Sequence, residues 1–209
     1  MEIEAVTIDA YGTLVTLRDP VPALRAALAD RDVERGTADV QHAFEAEVAF
    51  YVARSHEGRD EAALALLRRD CAGVFLEALA AELDPADFAA AFLASLSFAE
   101  LPGARAACGE LRAAGLRLAV VSNWDIGLHD HLEALGLDAV VNVVVTSAEA
   151  GAPKPEPAVF ELALARLGVD DVTHAVHVGD AAADREGALA AGLRFEPAPL
   201  ADAAQRILA

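Results

Sequence analysis

Asp9, Ser122, Lys154, Asp180 and Asp184 are of types that can attack, donate, neutralise or coordinate, and they recur at similar places in the chain. Asp9 ends the run Val6-Thr7-Ile8, and Ser122-Asn123 follows Leu118–Val121. Lys154 lies in Ala-Pro-Lys-Pro-Glu-Pro, downstream of a third valine-rich run, and Gly179-Asp180 follows Val176-His177-Val178, with Asp184 four residues on. A carboxylate can be a covalent nucleophile. A hydroxyl or amide can hold a ligand oxygen. A lysine between prolines carries its charge on a segment with few conformations to lose. Each residue also has a plain structural use: Asp180 as an N-cap, Asp184 as a first-turn dipole partner, Ser122 as a turn residue.

The elements that must position these groups follow from periodicity. Residues 3–8 turn fully apolar and β-branched, as a buried strand does. From about 20 to 98 the period becomes helical. Helices are expected over 22–28, 38–53 and 61–83, the second with Val40, Phe44, Val48, Tyr51 and Val52 on one stripe. A further helix starts at Asp-Pro-Ala-Asp-Phe, with Asp84 as N-cap, Pro85 in the first turn and Asp87 near the positive end of the dipole. No strand is expected in this segment. After Leu101-Pro102-Gly103 the pattern alternates: helices over 104–114, 128–135, 157–167 and 185–191, and strands over 116–121, 140–145, 175–178 and 193–195. One strand, a helical insert, then repeated helix–strand units give an α/β fold with a parallel sheet covered by helices. Ligands on such sheets bind at the carboxyl ends of the strands, so the polar sites after the strands should converge on one crevice.

Composition narrows the partners. The chain has 209 residues, 55% of them hydrophobic and only 5% aromatic, so Ala, Leu and Val must fill its core. A formal charge of −18 argues against nucleic acid and against an anionic membrane surface, both of which need clustered cations. An anionic substrate would need local positive charge to overcome this background. Cys71 and Cys108 lack metal-ligand spacing and are expected as reduced core thiols. No basic segment followed by an apolar one opens the chain, and charged residues break every Ala-rich run, so a cytoplasmic location is expected.

Four stretches, in order, resemble the motif set of the haloacid dehalogenase-like (HAD) superfamily: DAYGT (9–13), VVSN (120–123), GAPKP (151–155) and HVGDAAAD (177–184). The resemblance covers the whole chain. It implies a Rossmann-like core from residues 1–16 and 99–209, with an α-helical cap, 17–98, inserted after the first motif. It implies Asp9 as the nucleophile, with Thr13 and Ser122 holding substrate oxygens. Lys154 would offset the charge of Asp9 and of an anionic ligand. Catalytic roles are expected for Asp9, Thr13, Ser122, Asn123, Lys154 and Asp180, and substrate contacts for Tyr11, Gly12, Ser122, Asn123 and Lys154. The implied cofactor is Mg²⁺, on Asp9, Asp180, Asp184 and the backbone carbonyl of Tyr11; hard oxygen ligands suit that ion.

Position 11 divides the possible reactions. In the family's phosphatases the residue two after the nucleophile is usually a second aspartate, the acid–base; here it is Tyr11. A phenol is a poor base at neutral pH. Losing a positioned acid–base costs on the order of 10²- to 10⁴-fold, least for good leaving groups such as aryl or acyl phosphates. Halide needs no proton, and DAYGT resembles the first motif of the 2-haloacid dehalogenases. The last motif points the other way. Three converging carboxylates repel unless a cation joins them, and no arginine lies around 39–44, where the dehalogenases bind their substrate's carboxylate. The reading adopted is a Mg²⁺-dependent phosphohydrolase of a small organic phosphate. The alternatives are a 2-haloacid dehalogenase and a weakly active or non-catalytic binding protein of the same fold. Asp125 could replace the missing acid, but capping the next helix is its expected use. His129 and His131 do not share a helix face, so no metal site is expected there. Trp124 is a pocket or packing residue, and His177 is expected as a core histidine. Arg54, His56 and Arg59 lie in a turn expected to be solvated, where they are the candidates for reading a substrate.

Overall fold

The computed structural model describes residues 3–209. Along the chain, β1 (Ala5–Ile8) and β2 (Val15–Leu17) precede helices α1 (Val21–Ala29), α2 (Thr37–Arg54), α3 (Glu61–Ala78) and α4 (Pro85–Ala94). Then come β3 (Phe98–Glu100), α5 (Ala104–Ala113), β4 (Arg117–Ser122), α6 (Leu128–Ala134) and β5 (Val143–Thr146). The four-residue α7 (Ser147–Ala150), α8 (Ala158–Leu167), β6 (Ala175–Gly179), α9 (Ala182–Ala190), β7 (Arg194–Pro197) and α10 (Leu200–Leu208) complete it. The chain divides into two compact units: residues up to Thr16 together with Ala99–Ala209, and Leu17–Phe98.

The first unit is built on a five-stranded sheet in the order β5-β4-β1-β6-β7, parallel throughout. Central β1 is buried at all four positions, which is why its run lacks polar alternation. Its register fixes the site: Ile8 lies opposite Val120 of β4 and Val178 of β6, so Asp9, Ser122 and Asp180 emerge at one edge. One cluster of this unit packs Val121, Val145, Val159, Phe160, Ala163 and Ala188 between sheet and helices. Cys108, on α5 of the same unit, is buried and unbridged.

The second unit closes on Phe75, Phe88 and Phe92, none with measurable exposure, with Leu24, Leu28 and Val40 around them. Phe75 and Phe88 stack with centroids 6.0 Å apart, and Phe92 tilts onto Phe75 at 5.2 Å. Asp84 caps α4, its carboxylate accepting the Ala86 N–H at 2.7 Å. Asp60 caps α3 in the same way through Ala63. Cys71 is buried and unbridged here.

Several expectations change in detail. The stripe expected on α2 is buried only in its first half: Val48 and Val52 are exposed, while Ala43 and Glu47 turn inward. The helix expected over 61–83 stops at Ala78, where Ala80 takes a positive φ of 49° and reverses the chain. The paired three-residue strands β2 and β3 are too short to show a period, and α10 lies beyond the expected elements. The strand expected from 140 starts at Val143 because Asp138–Val140 forms a 3₁₀ turn.

Candidate active site

Asp9 follows β1, its backbone N–H donating to Val178 of β6 at 2.9 Å. Its side chain is buried, and Oδ1 accepts from Lys154 Nζ at 2.6 Å and Ser122 Oγ at 3.2 Å. The same ammonium donates to the Val121 carbonyl at 3.0 Å and to Asp184 Oδ1 at 2.5 Å. All three of its protons are therefore directed. Lys154 is itself anchored by Asn123, whose amide brackets its backbone: Oδ1 accepts the Lys154 N–H at 2.6 Å and Nδ2 donates to its carbonyl at 3.0 Å. Asn123, expected to touch substrate, thus also shapes the lysine segment.

Two glycines let the carboxylates close in. Gly12 has φ +86°, and a Cβ there would collide with the Asp180 carboxylate. A Cβ at Gly179 would collide with Asp184. Carboxylate oxygens of Asp9, Asp180 and Asp184 can thus lie within 4.8 Å of one another. Three hard oxygen donors from three carboxylates match what Mg²⁺ takes from a protein, so the donor set fits the ion implied by the sequence.

The electrostatics reflect crowding and burial. Burial raises the Asp9 carboxyl to about 6 against the pull of Lys154, with Asp184 and Asp180 adding to the rise. Asp180 is raised as well, by burial and by Asp184. Burial alone would raise Asp184, but its hydrogen bond to His177 and the charge of Lys154 outweigh it and hold it well below the usual carboxylate range. Burial would likewise lower Lys154, yet Asp9 and Asp184 keep it above the ordinary lysine value.

Thr13 is buried, and its Oγ1 lacks a hydrogen-bond partner among the described residues. An orphaned buried hydroxyl costs about 1–3 kcal/mol, and at a strand end full of polar groups it points to a ligand. Tyr11 is 51% exposed, so its phenol is not part of the buried cluster. Asp125 is buried and accepts the Gly127 N–H at 2.6 Å just before α6. Trp124 is buried, and its backbone exchanges hydrogen bonds with the Ser147 hydroxyl at 3.1 and 3.2 Å. His129 pairs with Glu149 at 3.2 Å rather than with His131.

Two places hold more than the sequence suggested. His177, expected simply as a core histidine, is fully buried but touches Asp184 at 3.2 Å through Nε2. The Val-His-Val-Gly-Asp spacing was its only signal. In the helical unit, the turn expected to be solvated is partly internal: Ser55 is fully buried, and Ser55 Oγ and His56 Nδ1 lack partners among the described residues.

A parallel α/β core with a carboxylate after β1, a hydroxyl after β4, a buried lysine and two acids after β6 defines a class, and comparison with known proteins identifies it. The chain matches the model of the haloacid dehalogenase-like hydrolases over residues 3–192 and belongs to that family. It is 41% identical over 103 residues to a mouse haloacid dehalogenase-like hydrolase domain-containing protein 3, covering 49% of this chain and 41% of that one. It is 38% identical over 120 residues to the ribulose-1,5-bisphosphate 5-phosphatase of Halopiger xanaduensis, covering 55% and 49%. The matched stretches thus span less than half of either relative. Among solved structures, the L-2-haloacid dehalogenase of Xanthobacter autotrophicus superposes with a TM-score of 0.65 at 27% identity, over 92% of this chain and 76% of that one.

Proposed function

We propose that this hydrolase is a Mg²⁺-dependent phosphohydrolase of small organic phosphates that works through an aspartyl-phosphate on Asp9. The observation that carries the reading is the meeting of Asp9, Asp180 and Asp184 within 4.8 Å beside the ammonium of Lys154. Asp9 attacks phosphorus, the bond to the leaving oxygen breaks, and water then attacks the acyl phosphate to release phosphate and restore the carboxylate. Lys154 offsets the charge gathered on Asp9 and the phosphoryl oxygens, and Ser122 and Thr13 supply hydroxyls to those oxygens. Asp9, Asp180, Asp184 and the Tyr11 carbonyl would hold Mg²⁺, which when bound neutralises the transferring group. The phosphatase name of the Halopiger relative supports this choice.

With Tyr11 in the acid–base position, the leaving group must depart with little help, so aryl and acyl phosphates should outpace alkyl phosphates. The helical unit, 17–98, would serve as the cap that sets substrate preference.

Tyr11 is also the observation that favours a second reading, carbon–halogen cleavage at Asp9, and the Xanthobacter likeness is consistent with it. A ligand-binding role without turnover is the third.

One assay separates them: hydrolysis of p-nitrophenyl phosphate and acetyl phosphate, and halide release from 2-chloropropionate, each with Mg²⁺ and with EDTA, with Asp9→Asn as the blank. Phosphate release that needs both Mg²⁺ and Asp9 supports the proposal. EDTA-resistant halide release overturns it in favour of the dehalogenase. No turnover of any of the three substrates favours the binding role.

A further inference from the structure

We propose that Gly187 is a positioning residue for Lys154: the notch it leaves on α9 seats the backbone of Pro155 and, together with the Asn123 bracket, fixes the segment from which the ammonium reaches Asp9. The kinetic arm of the test rests on the Asp9 centre being catalytic; the structural arm does not.

Gly187 lies inside α9 and is buried. A glycine in a helix interior is less stable than alanine, because it has more backbone freedom to lose. Its φ lies outside the left-handed region, so backbone conformation does not require glycine here. Space does. A Cβ on Gly187 would lie 3.1 Å from both the Cα and the carbonyl oxygen of Pro155, and 2.8 Å from Cε2 of Phe160. Carbon atoms in contact prefer about 3.5–4.0 Å. Two other helical glycines are not crowded in this way. A Cβ on Gly109 would meet nothing within 4 Å, and one on Gly73 would make ordinary contact with Pro85 at 3.6 Å.

The two obstacles differ in kind. Phe160 presents the far edge of a side chain, a fully buried ring also held edge-on to His177 at 4.9 Å. Pro155 presents main chain, which cannot rotate away. A planar peptide unit joins its Cα to Lys154, so a push on Pro155 is passed to the Lys154 carbonyl. That carbonyl accepts from Asn123 Nδ2 at 3.0 Å, and the Lys154 N–H donates to Asn123 Oδ1 at 2.6 Å. A displaced segment must therefore strain or break the bracket.

One helix meets the lysine segment twice. Asp184 stands one turn before Gly187 on the same face of α9. The acid accepts from Nζ at 2.5 Å, and the glycine receives the backbone. The reach of the ammonium to Asp9 Oδ1, 2.6 Å, is thus set from both ends of the side chain. Misplacing a group by about 1 Å can cost on the order of 100-fold in rate, so a shift of a few tenths of an ångström should cost about tenfold.

The test uses the full chain, ¹⁵N-labelled, as wild type, Gly187→Ala, Gly109→Ala, Phe160→Leu and the Gly187→Ala/Phe160→Leu pair. Phe160→Leu makes room beside the ring and none beside the Pro155 main chain. Three quantities are read: the urea midpoint, kcat/KM with Mg²⁺ and p-nitrophenyl phosphate, and hydrogen exchange at the Lys154 amide. The Leu118 amide, which donates to Asn142 Oδ1 at 2.8 Å, is the exchange reference. Gly187→Ala should lower the midpoint, speed exchange at Lys154 by about tenfold or more relative to Leu118, and lower kcat/KM by about tenfold. Gly109→Ala should leave exchange and rate unchanged. In the pair, the midpoint should return to that of Phe160→Leu, while Lys154 exchange stays fast and kcat/KM stays low. A Lys154 amide that does not respond to Gly187→Ala overturns the proposal, and so does an unchanged kcat/KM. Recovery of either exchange or rate in the pair also overturns it, since Gly187 would then act only through core packing on Phe160. If Gly187→Ala does not fold, the pair against Phe160→Leu makes the same comparison. If the wild type does not turn over this substrate, the functional reading fails instead, and Lys154 exchange alone decides the positioning role.

Discussion

In the sheet unit the buried acids Asp9 and Asp184 share one ammonium, while in the helical unit the buried acid Glu47 has the Cys71 thiol as its hydrogen-bond partner. The first arrangement keeps charge inside the protein and aims it; the second gives charge up. Burial raises Glu47 to about 7, and the Cys71 hydrogen bond offsets only part of that rise. The orphaned Ser55 Oγ and His56 Nδ1 also belong to the helical unit. In the sheet unit the corresponding orphan is Thr13 Oγ1, in the turn that follows β1. Buried polarity thus concentrates where strands end in the sheet unit and lies scattered on helix faces and turns in the other.

Breaking the organised arrangement should give the largest effects. Asp9→Asn removes the nucleophile and should lower phosphate release by at least about 10⁴-fold, measured as initial rates with acetyl phosphate. Loss of less than tenfold would show that Asp9 is not the attacking group. Lys154→Met leaves two buried carboxylates without their shared cation and should destabilise the fold by about 3–5 kcal/mol. Urea unfolding would read this, and Mg²⁺ should restore more stability to the variant than to the wild type if the three acids bind it. Equal response to Mg²⁺ in both would count against the metal reading.

Legibility in the sequence follows the same division. The parallel sheet was readable because β1, β4 and β6 are apolar runs ended by polar residues, and register then leaves little choice about what meets at the edge. Asp9, Ser122 and Asp180 were legible as strand-end residues, and Lys154 and Asp184 from the motifs they resemble; the structure brings the five together. Asn123 was found as a candidate for touching substrate, but its bracketing of the Lys154 backbone was not legible, because a one-dimensional pattern does not show which neighbouring backbone a side chain reaches. His177 was read as mere core because its partner Asp184 is five residues past the end of β6. Glu47 was missed outright. A helical stripe scored on apolar residues assigns Val48 and Val52 to the core and skips the acid, whereas packing buries Ala43 and Glu47 and exposes the two valines.

Glu47 offers a sharper test of the second arrangement. Its carboxyl holds a proton more tightly in the folded state, about 7 against an ordinary 4.5. Between those values the folded chain binds a proton that the unfolded chain has released. This site therefore lowers stability as pH rises through that window, with no further change above it. A rise of that size corresponds to about 3 kcal/mol. Glu47→Gln should remove the slope: the variant should gain on the wild type from pH 4.5 to 7 and hold that gain at pH 8. Parallel urea curves of the two proteins across pH check it, and a constant difference would show that folding does not raise the Glu47 carboxyl above its ordinary value.

The smallest effect should come from Ser55. Its hydroxyl is fully buried at the end of α2 with no partner among the described residues, so removing it takes away a desolvation cost and no hydrogen bond. Ser55→Ala should raise stability by about 1 kcal/mol, while the same logic applied to Ser122, whose hydroxyl donates to Asp9 at 3.2 Å, predicts a loss for Ser122→Ala. The opposite signs are the content of the comparison. One hydroxyl is part of a network that organises charge, and the other is an uncompensated cost of closing a helical turn. If both serines proved stabilising, the helical unit would be using Ser55 as the sheet unit uses Ser122, and the contrast between the two units would fail at that residue.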